Sequence, residues 1–122
     1  MIMARFLIVD DSKLARTMLK DILVEAGHEV VAEATNGLEG EAMYAQYKPD
    51  IVTLDNVMPG ESGKDCLTHI IEKHPDAKII MVSSVGKGNT VIEELKIGAK
   101  NFITKPIEKE NVLAAIAGIL GE

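Results

Sequence analysis

The chain has few residues of several kinds, and each shortage argues against a class of protein. It contains one cysteine, Cys66, which rules out an internal disulfide and suits a reducing cytoplasm. Aromatic residues make up 3% of the chain, which does not favour stacking against a flavin. The first apolar run is interrupted by Arg5 and stopped by Asp10, so it predicts neither a signal peptide nor a membrane span.

Positive charge is outnumbered by negative charge. Thirteen Lys and Arg residues face nineteen Asp and Glu residues, which gives a formal net charge of −6 at pH 7. We therefore expect neither nucleic acid nor a membrane as a partner. The 122 residues, 47% of them hydrophobic, suffice for one domain with a real core but not for two. We expect residues 1–122 to form a single domain, and we expect the protein to be cytoplasmic and monomeric.

Short apolar runs that each end on a polar residue are the main positive signal. The runs cover residues 6–9, 51–54, 79–82 and 101–104, and the polar residues that follow them are Asp10 with Asp11, Asp55, Ser83 and Lys105. Runs rich in Val and Ile, with helical patterns between them, predict buried parallel strands. Ligands of open parallel sheets bind at the carboxyl ends of the strands, so these side chains are expected to meet in one crevice.

Five such strand–helix units are predicted, which indicates an α/β fold with helices on both faces of a parallel sheet. The predicted strands lie at about 5–9, 29–33, 51–54, 78–82 and 101–104; the predicted helices follow Ser12 as far as Gly27, and then cover about 36–47, 63–74, 87–97 and 108–120. The strand at 29–33 is short and flanked by charge, so it is the best candidate for a sheet edge.

Asp10, Asp11 and Asp55 cannot lie together comfortably without a cation. Two unit charges about 4 Å apart repel by roughly 4 kcal/mol at an effective dielectric constant near 20. The nearby ligand atoms are oxygens, with no local cluster of His or Cys, which favours Mg²⁺ or Mn²⁺ over Zn²⁺. Lys105 offers a positive charge and Ser83 a hydroxyl for phosphate oxygens, so the crevice suits a phosphoryl group.

Each of these residues also has an ordinary structural interpretation. An Asp after a strand is often a helix N-cap or turn residue, and a Lys-Pro pair such as Lys105-Pro106 is often a turn. Their joint occurrence at the ends of four strands favours the functional interpretation. The Lys105-Pro106 bond is of a kind that adopts the cis form more readily than other peptide bonds, and the sequence leaves the isomer open.

These residues closely resemble the receiver domain of bacterial and archaeal two-component response regulators. The resemblance covers essentially the whole chain, and its most specific parts are the stretches 7–11, 55–59, 81–83 and 98–106 together with Gly63. It implies a flavodoxin-like, CheY-like fold with a five-stranded parallel sheet in the order 2-1-3-4-5 and five helices on both faces. The strand order comes from the resemblance alone.

The resemblance implies roles around the phosphoacceptor. Asp55 would take a phosphoryl group from the phosphohistidine of a sensor histidine kinase. Asp11 would bind Mg²⁺ directly, Asp10 directly or through water, and the Asp55 carboxylate and the backbone carbonyl of Val57 would complete the protein ligands. The protein would then catalyse only its own phosphorylation and dephosphorylation, and would not be an enzyme acting on other substrates.

The resemblance also implies a signalling device. Lys105 and Ser83 would hold the phosphoryl oxygens, and Phe102 would turn inward when Ser83 moves; without the resemblance, Phe102 is better interpreted as a plain core aromatic. The changed surface would comprise helix four, strand five and helix five. Val57 and Val85 would flank the acyl phosphate, and we expect their apolar side chains to slow its hydrolysis.

Residues 83–87, 91–94 and 98–102 look most like stand-alone chemotaxis regulators of the CheY type. That type implies the chemotaxis kinase as donor, the flagellar motor switch as target and a phosphatase as a possible further partner. A phosphorelay intermediate that passes phosphate to a histidine phosphotransferase, or a receiver excised from a longer regulator, is the alternative.

Other classes fit less well. An aspartate-nucleophile phosphatase would have a second Asp at the position of Val57, and a flavodoxin would have a hydroxyl-rich loop after strand one. The complete acidic set argues against a module that signals by binding alone. Three basic residues on helix one are expected to form a solvated face or, alternatively, a docking face: Lys13, Arg16 and Lys20. The three histidines show no ligand spacing and receive no role: His28, His69 and His74.

Overall fold

The computed structural model describes residues 2–84 and 88–121. Strands and helices alternate along these residues in the order β1 (Arg5–Val9), α1 (Lys13–Glu25), β2 (Glu29–Ala34), α2 (Gly37–Tyr47), β3 (Ile51–Asp55), α3 (Gly63–Lys73), β4 (Ile79–Ser84), α4 (Gly88–Ile97), β5 (Asn101–Lys105) and α5 (Lys109–Leu120). The strands are parallel and form one sheet in the order β2-β1-β3-β4-β5. The expected fold class and order are confirmed, and β2 is an edge strand as predicted.

The core lies on both faces of the sheet because successive strand side chains point to opposite sides. In β1, Leu7 and Val9 join the cluster that α2 and α3 cover, whereas Phe6 and Ile8 join the cluster under α1 and α5. A sheet buried on both faces explains why its strands read as continuous apolar runs. Cys66 is buried in the first cluster, as expected of a small structural thiol, and burial raises its pKa to about 12.

The N-termini of α1, α2 and α3 follow closely on the carboxyl ends of the strands. Short polar residues cap these helices. The Ser12 hydroxyl accepts a hydrogen bond from the Ala15 amide at 3.2 Å, and the side chains of Asn36 and Ser62 cap α2 and α3 in the same way. Gly27, with φ of 92°, follows the end of α1. These caps confirm the predicted starts of the first three helices.

Strands β3, β4 and β5 run further than predicted. Asp55 pairs with Val82 in the sheet, and Ser84 pairs with Lys105. Asp55 and Lys105 are therefore the last residues of β3 and β5, and Ser83 is the last but one of β4, because their backbones still join the sheet ladder.

Two further expectations depart from the structure or fall outside it. The spacing of apolar residues in α1 predicts that Met18 faces the core, but Met18 is exposed and borders an open groove between α1 and the residues that follow β5. The start predicted for helix four, at about residue 87, and the position of Val85 lie outside the described residues. Among the residues that are described, no helix is long and apolar enough to cross a membrane.

Candidate functional site

The predicted site residues converge at the carboxyl edge of the sheet. Asp10 and Asp11 follow β1, Asp55 ends β3, Ser83 lies in β4 and Lys105 ends β5. One oxygen from each of the three aspartates lies within 4.8 Å of the others. Asp10 and Asp55 are each 4% exposed, whereas Asp11 is open to solvent. The crevice is thus a buried pair of carboxylates with a third at its mouth.

Lys105 offsets part of the negative charge of the buried pair. Its Nζ lies 3.4 Å from Oδ2 of Asp10 and 3.4 Å from Oδ2 of Asp55. Burial acts to lower the pKa of Lys105, but the charges of Asp55 and Asp10 outweigh it and raise the pKa above its usual value. The amine is therefore protonated at neutral pH. The Lys105-Pro106 peptide bond, left open by the sequence, is cis.

Backbone amides orient the same two carboxylates. The Ser12 N–H donates to Oδ1 of Asp10 at 2.8 Å, and the Val57 N–H donates to Oδ1 of Asp55 at 3.3 Å. Each aspartate therefore has Oδ1 on a backbone donor and Oδ2 on Lys105. A nucleophilic carboxylate held at both oxygens is already oriented before a substrate arrives.

The crevice carries more negative charge than Lys105 offsets. Burial is the largest cause of a raised pKa at Asp55, the charge of Asp10 adds to it, and Lys105 opposes both. A cation would relieve this excess. Three carboxylates with an exposed side fit Mg²⁺, which takes oxygen ligands and keeps several waters. Val57, whose amide contacts Asp55, lies at the edge of the same crevice, and its side chain is exposed.

Ser83 is fully buried on β4, the strand beside the one that ends at Asp55. It is hydrogen-bonded to Asn56, a residue for which the sequence analysis proposes no role. Its Oγ accepts a hydrogen bond from Nδ2 of Asn56 at 3.3 Å. Oδ1 of Asn56 is itself buried and has no hydrogen-bond partner within the described part of the chain. The position of Asn56, directly after the predicted phosphoacceptor, was the only sequence signal for this contact.

Phe102 lies on β5 and is 40% exposed. The interpretation of Phe102 as a plain core aromatic is therefore wrong: its neighbour Ile103 points into the core, and the alternation of a strand turns Phe102 to the outside. The switch role that the resemblance implies remains a prediction.

Arg16 supports the crevice from α1. Its Nη1 donates to the backbone carbonyl of Asp10 at 2.7 Å, and its Nε lies 3.1 Å from Oε1 of Glu33 on β2. Lys20 also approaches Glu33, at 3.8 Å. The basic residues of α1 were expected to form a solvated or docking face; Arg16 instead packs as a structural brace for the residue that starts the acidic site.

The loop after Asp55 depends on a glycine. A Cβ built on Gly63 would lie 2.2 Å from the carbonyl oxygen of Asp55 and 2.4 Å from Cα of Asn56. The Gly63 N–H also donates to the Asn56 carbonyl at 3.2 Å. The first residue of α3 therefore packs directly against the backbone of the site.

Comparison with known proteins agrees with this geometry. Residues 6–117 match the family described as the response regulator receiver domain. The chain is 48% identical over 114 residues to a chemotaxis protein CheY of Listeria monocytogenes, covering 93% of this chain and 96% of the relative. It is 49% identical over 112 residues to a CheY of Thermotoga maritima, covering 92% and 93% of the two chains.

Solved structures show the same likeness. The crystal structure of a CheX–CheY–BeF3–Mg²⁺ complex from Borrelia burgdorferi contains a chain that matches with a TM-score of 0.92 and 36% identity, covering 95% of this chain and 88% of that one. The chain therefore belongs to the family of response regulator receiver domains. Within that family it is of the CheY type.

Proposed function

We propose that this protein is a single-domain response regulator, cytoplasmic and monomeric, in which residues 1–122 form one receiver domain. Asp55 accepts a phosphoryl group from the phosphohistidine of a sensor histidine kinase. The observation that carries the proposal is the arrangement of Asp55 itself: a buried carboxylate with Oδ1 on the Val57 amide and Oδ2 on the amine of Lys105. The protein catalyses only its own phosphorylation and dephosphorylation.

In the transfer step, a carboxylate oxygen of Asp55 attacks phosphorus. An O–P bond forms as the P–N bond to the donor imidazole breaks, and the electron pair of that bond remains on the imidazole nitrogen. Such a transfer needs positioning and charge neutralisation more than covalent help. Lys105 supplies one positive charge next to the reacting oxygen, and Ser83 offers a hydroxyl in the adjacent strand.

Mg²⁺ bound by Asp10, Asp11, Asp55 and the Val57 carbonyl, with Mn²⁺ as a substitute, would offset the negative charge of the phosphoryl oxygens. The oxygen-only ligand set and the charge excess at Asp55 support this assignment. Without a cation, three aspartates and one lysine would face an incoming anionic donor, and transfer would be slow.

The signal is read by Ser83 and Phe102. Ser83 exchanges its contact with Asn56 for a phosphoryl oxygen, and Phe102, now exposed, turns inward toward the space that Ser83 leaves. The surface that changes consists of α4, β5 and α5. Exposed apolar side chains on it, Ile92 and Leu95, support a protein as the target.

The biological output is chemotaxis. The relatives from Listeria and Thermotoga carry the name chemotaxis protein CheY, and the chain covers nearly their whole length. By analogy, the donor is the chemotaxis histidine kinase and the target is the flagellar motor switch. The Borrelia relative was crystallised with CheX, which supports a second protein partner; we assign that partner the role of a phosphatase.

A binding experiment separates this output from the phosphorelay alternative. The protein is labelled at Asp55 with beryllofluoride or phosphate and presented with a motor-switch peptide or with a histidine phosphotransferase domain. We expect the peptide to bind the activated protein at least about tenfold more tightly than the unmodified one, and Asp55→Asn to lose this difference. Rapid transfer to the phosphotransferase domain without peptide binding would contradict the chemotaxis output and support a phosphorelay.

A further inference from the structure

A second group of metal-ligating side chains lies apart from the aspartate crevice. It consists of Glu41 on α2, Glu61 in the segment between β3 and α3, and His69 on α3. One ligand atom from each lies within 4.8 Å of the others. The sequence did not indicate this group because its members come from three separate segments, which the packing of α2 on α3 brings together.

One ring nitrogen of His69 serves both carboxylates. Nδ1 of His69 lies 3.3 Å from Oε2 of Glu41 and is in still closer contact with Oε1 of Glu61. An imidazole nitrogen carries at most one hydrogen, so it can donate fully to only one of two anions. The other oxygen of Glu41, Oε1, is 3.8 Å from Nζ of Lys73, and this pairing leaves Oε2 facing the group.

Glu61 is the least satisfied member of the group. Its side chain is 11% exposed, and its Oε2, which lies against Gly37 at the start of α2, is buried with no hydrogen-bond partner on any residue that the structure describes. A buried carboxylate oxygen without a partner costs free energy that a surface carboxylate does not pay. Burial, followed by the contact with Glu41, raises the pKa of Glu61, whereas His69 opposes the shift.

We propose that Glu41, Glu61 and His69 bind a transition-metal dication of the Zn²⁺ class. The ligands are one imidazole nitrogen and two carboxylate oxygens, donor types that Zn²⁺ accepts, and three protein ligands leave the fourth tetrahedral position to water. The side chain of His69 is about half exposed, so water reaches that position. The imidazole distinguishes this site from the aspartate crevice, whose oxygen-only ligands suit Mg²⁺.

Bound metal would tie three parts of the molecule together. It would join α2 and α3 to the segment that connects the phosphoacceptor Asp55 to Gly63. Since the ion binds the folded arrangement and not the separated side chains, it stabilises the native state by an amount that grows with the logarithm of its concentration relative to Kd. The proposal does not depend on phosphoryl transfer at Asp55.

The test is a titration of the whole protein with Zn²⁺ in a large excess of Mg²⁺, which keeps the aspartate crevice occupied. Calorimetry measures affinity and stoichiometry, Tm is followed in parallel, and Co²⁺ replaces Zn²⁺ for a visible spectrum. We expect one equivalent of Zn²⁺ to bind and Tm to rise. His69→Gln and Glu61→Gln should each weaken binding at least about tenfold, since even changes outside the ligand shell cost that much.

Two variants serve as controls. His74→Gln removes a histidine directly after the same helix, whose ring lies tilted against that of Tyr44, and Asp11→Asn alters the aspartate crevice. Both should bind Zn²⁺ as tightly as the native protein. The proposal is overturned if the folded native protein binds no Zn²⁺, if His69→Gln binds it unchanged, or if only Asp11→Asn weakens binding.

Discussion

The Nζ of Lys105, at the end of β5, lies 3.4 Å from Oδ2 of Asp55, at the end of β3, although β4 separates the two strands. The same amine lies 3.4 Å from Oδ2 of Asp10 beyond β1. One long side chain therefore reaches across the sheet edge to two carboxylates, one that ends β3 and one that follows β1. The reach of Lys105 makes the three strand ends a single site.

Removal of the Lys105 amine should make the stability of the protein depend on Mg²⁺. Lys105→Gln leaves the two buried carboxylates without a nearby positive charge, and we expect a loss of about 1–2 kcal/mol in the free energy of unfolding without metal. Because the lysine no longer repels a cation, added Mg²⁺ should raise Tm more in Lys105→Gln than in the native protein. Lys100→Gln, on an exposed residue, is the control. An equal Mg²⁺-induced rise in Tm in Lys105→Gln and in the native protein would contradict this account of the crevice.

Gly63 should tolerate no side chain. Gly63→Ala places a Cβ 2.2 Å from the Asp55 carbonyl oxygen, so the loop must move. We expect the free energy of unfolding to fall by roughly 1–3 kcal/mol and phosphorylation to become slower. Chemical denaturation and a phosphorylation time course measure the two effects. The control is Gly118→Ala in α5, where the nearest atom to the new Cβ is 3.5 Å away, and where alanine should be neutral or stabilising. A Gly63→Ala protein as stable and as reactive as the native one would show that this contact is unimportant.

Glu94 should lower stability as the pH rises. It lies on α4, is 0% exposed, and both its carboxylate oxygens lack partners among the residues described. Burial raises its pKa to about 7, with Lys64 opposing and Glu93 reinforcing the shift. The folded protein thus holds this proton more tightly than the unfolded chain, in which the pKa is about 4.5. Stability contributed by the neutral carboxyl is present at low pH and falls as the pH rises from about 4.5 through 7.

Glu94→Gln removes that titration. We expect the variant to exceed the native protein in stability by up to roughly 3 kcal/mol at pH 8, and by much less at pH 5. Urea denaturation at the two pH values measures the difference. Glu93→Gln alters an exposed residue of the same helix and should show no such gain at pH 8. The explanation fails if native and Glu94→Gln proteins have parallel stability curves between the two pH values.

The lifetime of the phosphorylated form should depend on Val57. Its amide contacts Asp55 and its side chain is exposed beside the crevice, where an apolar group hinders an attacking water. We expect Val57→Asn to shorten the half-life of the phosphorylated protein several-fold. Val24→Asn makes the same change at an exposed position on α1 and should leave the half-life unchanged. A half-life that shortens little in Val57→Asn would contradict the role of Val57. The companion position, Val85, lies outside the described residues.

The strand–helix frame could be predicted because its signals are local. Apolar runs of four residues define buried strands, and caps such as Ser12 and Asn36 mark helix starts. The convergence of Asp10, Asp55 and Lys105 followed from the geometry of parallel sheets. Strand ends were placed too early because a polar side chain does not prevent a residue from joining the ladder, as Asp55 does.

Other features depend on tertiary contacts that no local pattern contains. The contact from Arg16 to the Asp10 carbonyl requires the placement of α1 on β1, and the convergence of Glu41 and His69 requires the packing of α2 on α3. Glu94 was hidden for a different reason. A glutamate in an amphipathic helix is ordinarily exposed, so the burial of Glu94 could not be predicted from the local pattern.

The central claim is that Asp55 accepts a phosphoryl group in a reaction that needs Mg²⁺. Intact mass is measured after incubation with acetyl phosphate, with Mg²⁺ or with a chelator, for the native protein and for Asp55→Asn. We predict the addition of one phosphoryl group to the native protein only when Mg²⁺ is present, and none to Asp55→Asn. A folded native protein that gains no phosphoryl group under any of these conditions, or an Asp55→Asn protein that gains one as readily, would contradict the claim.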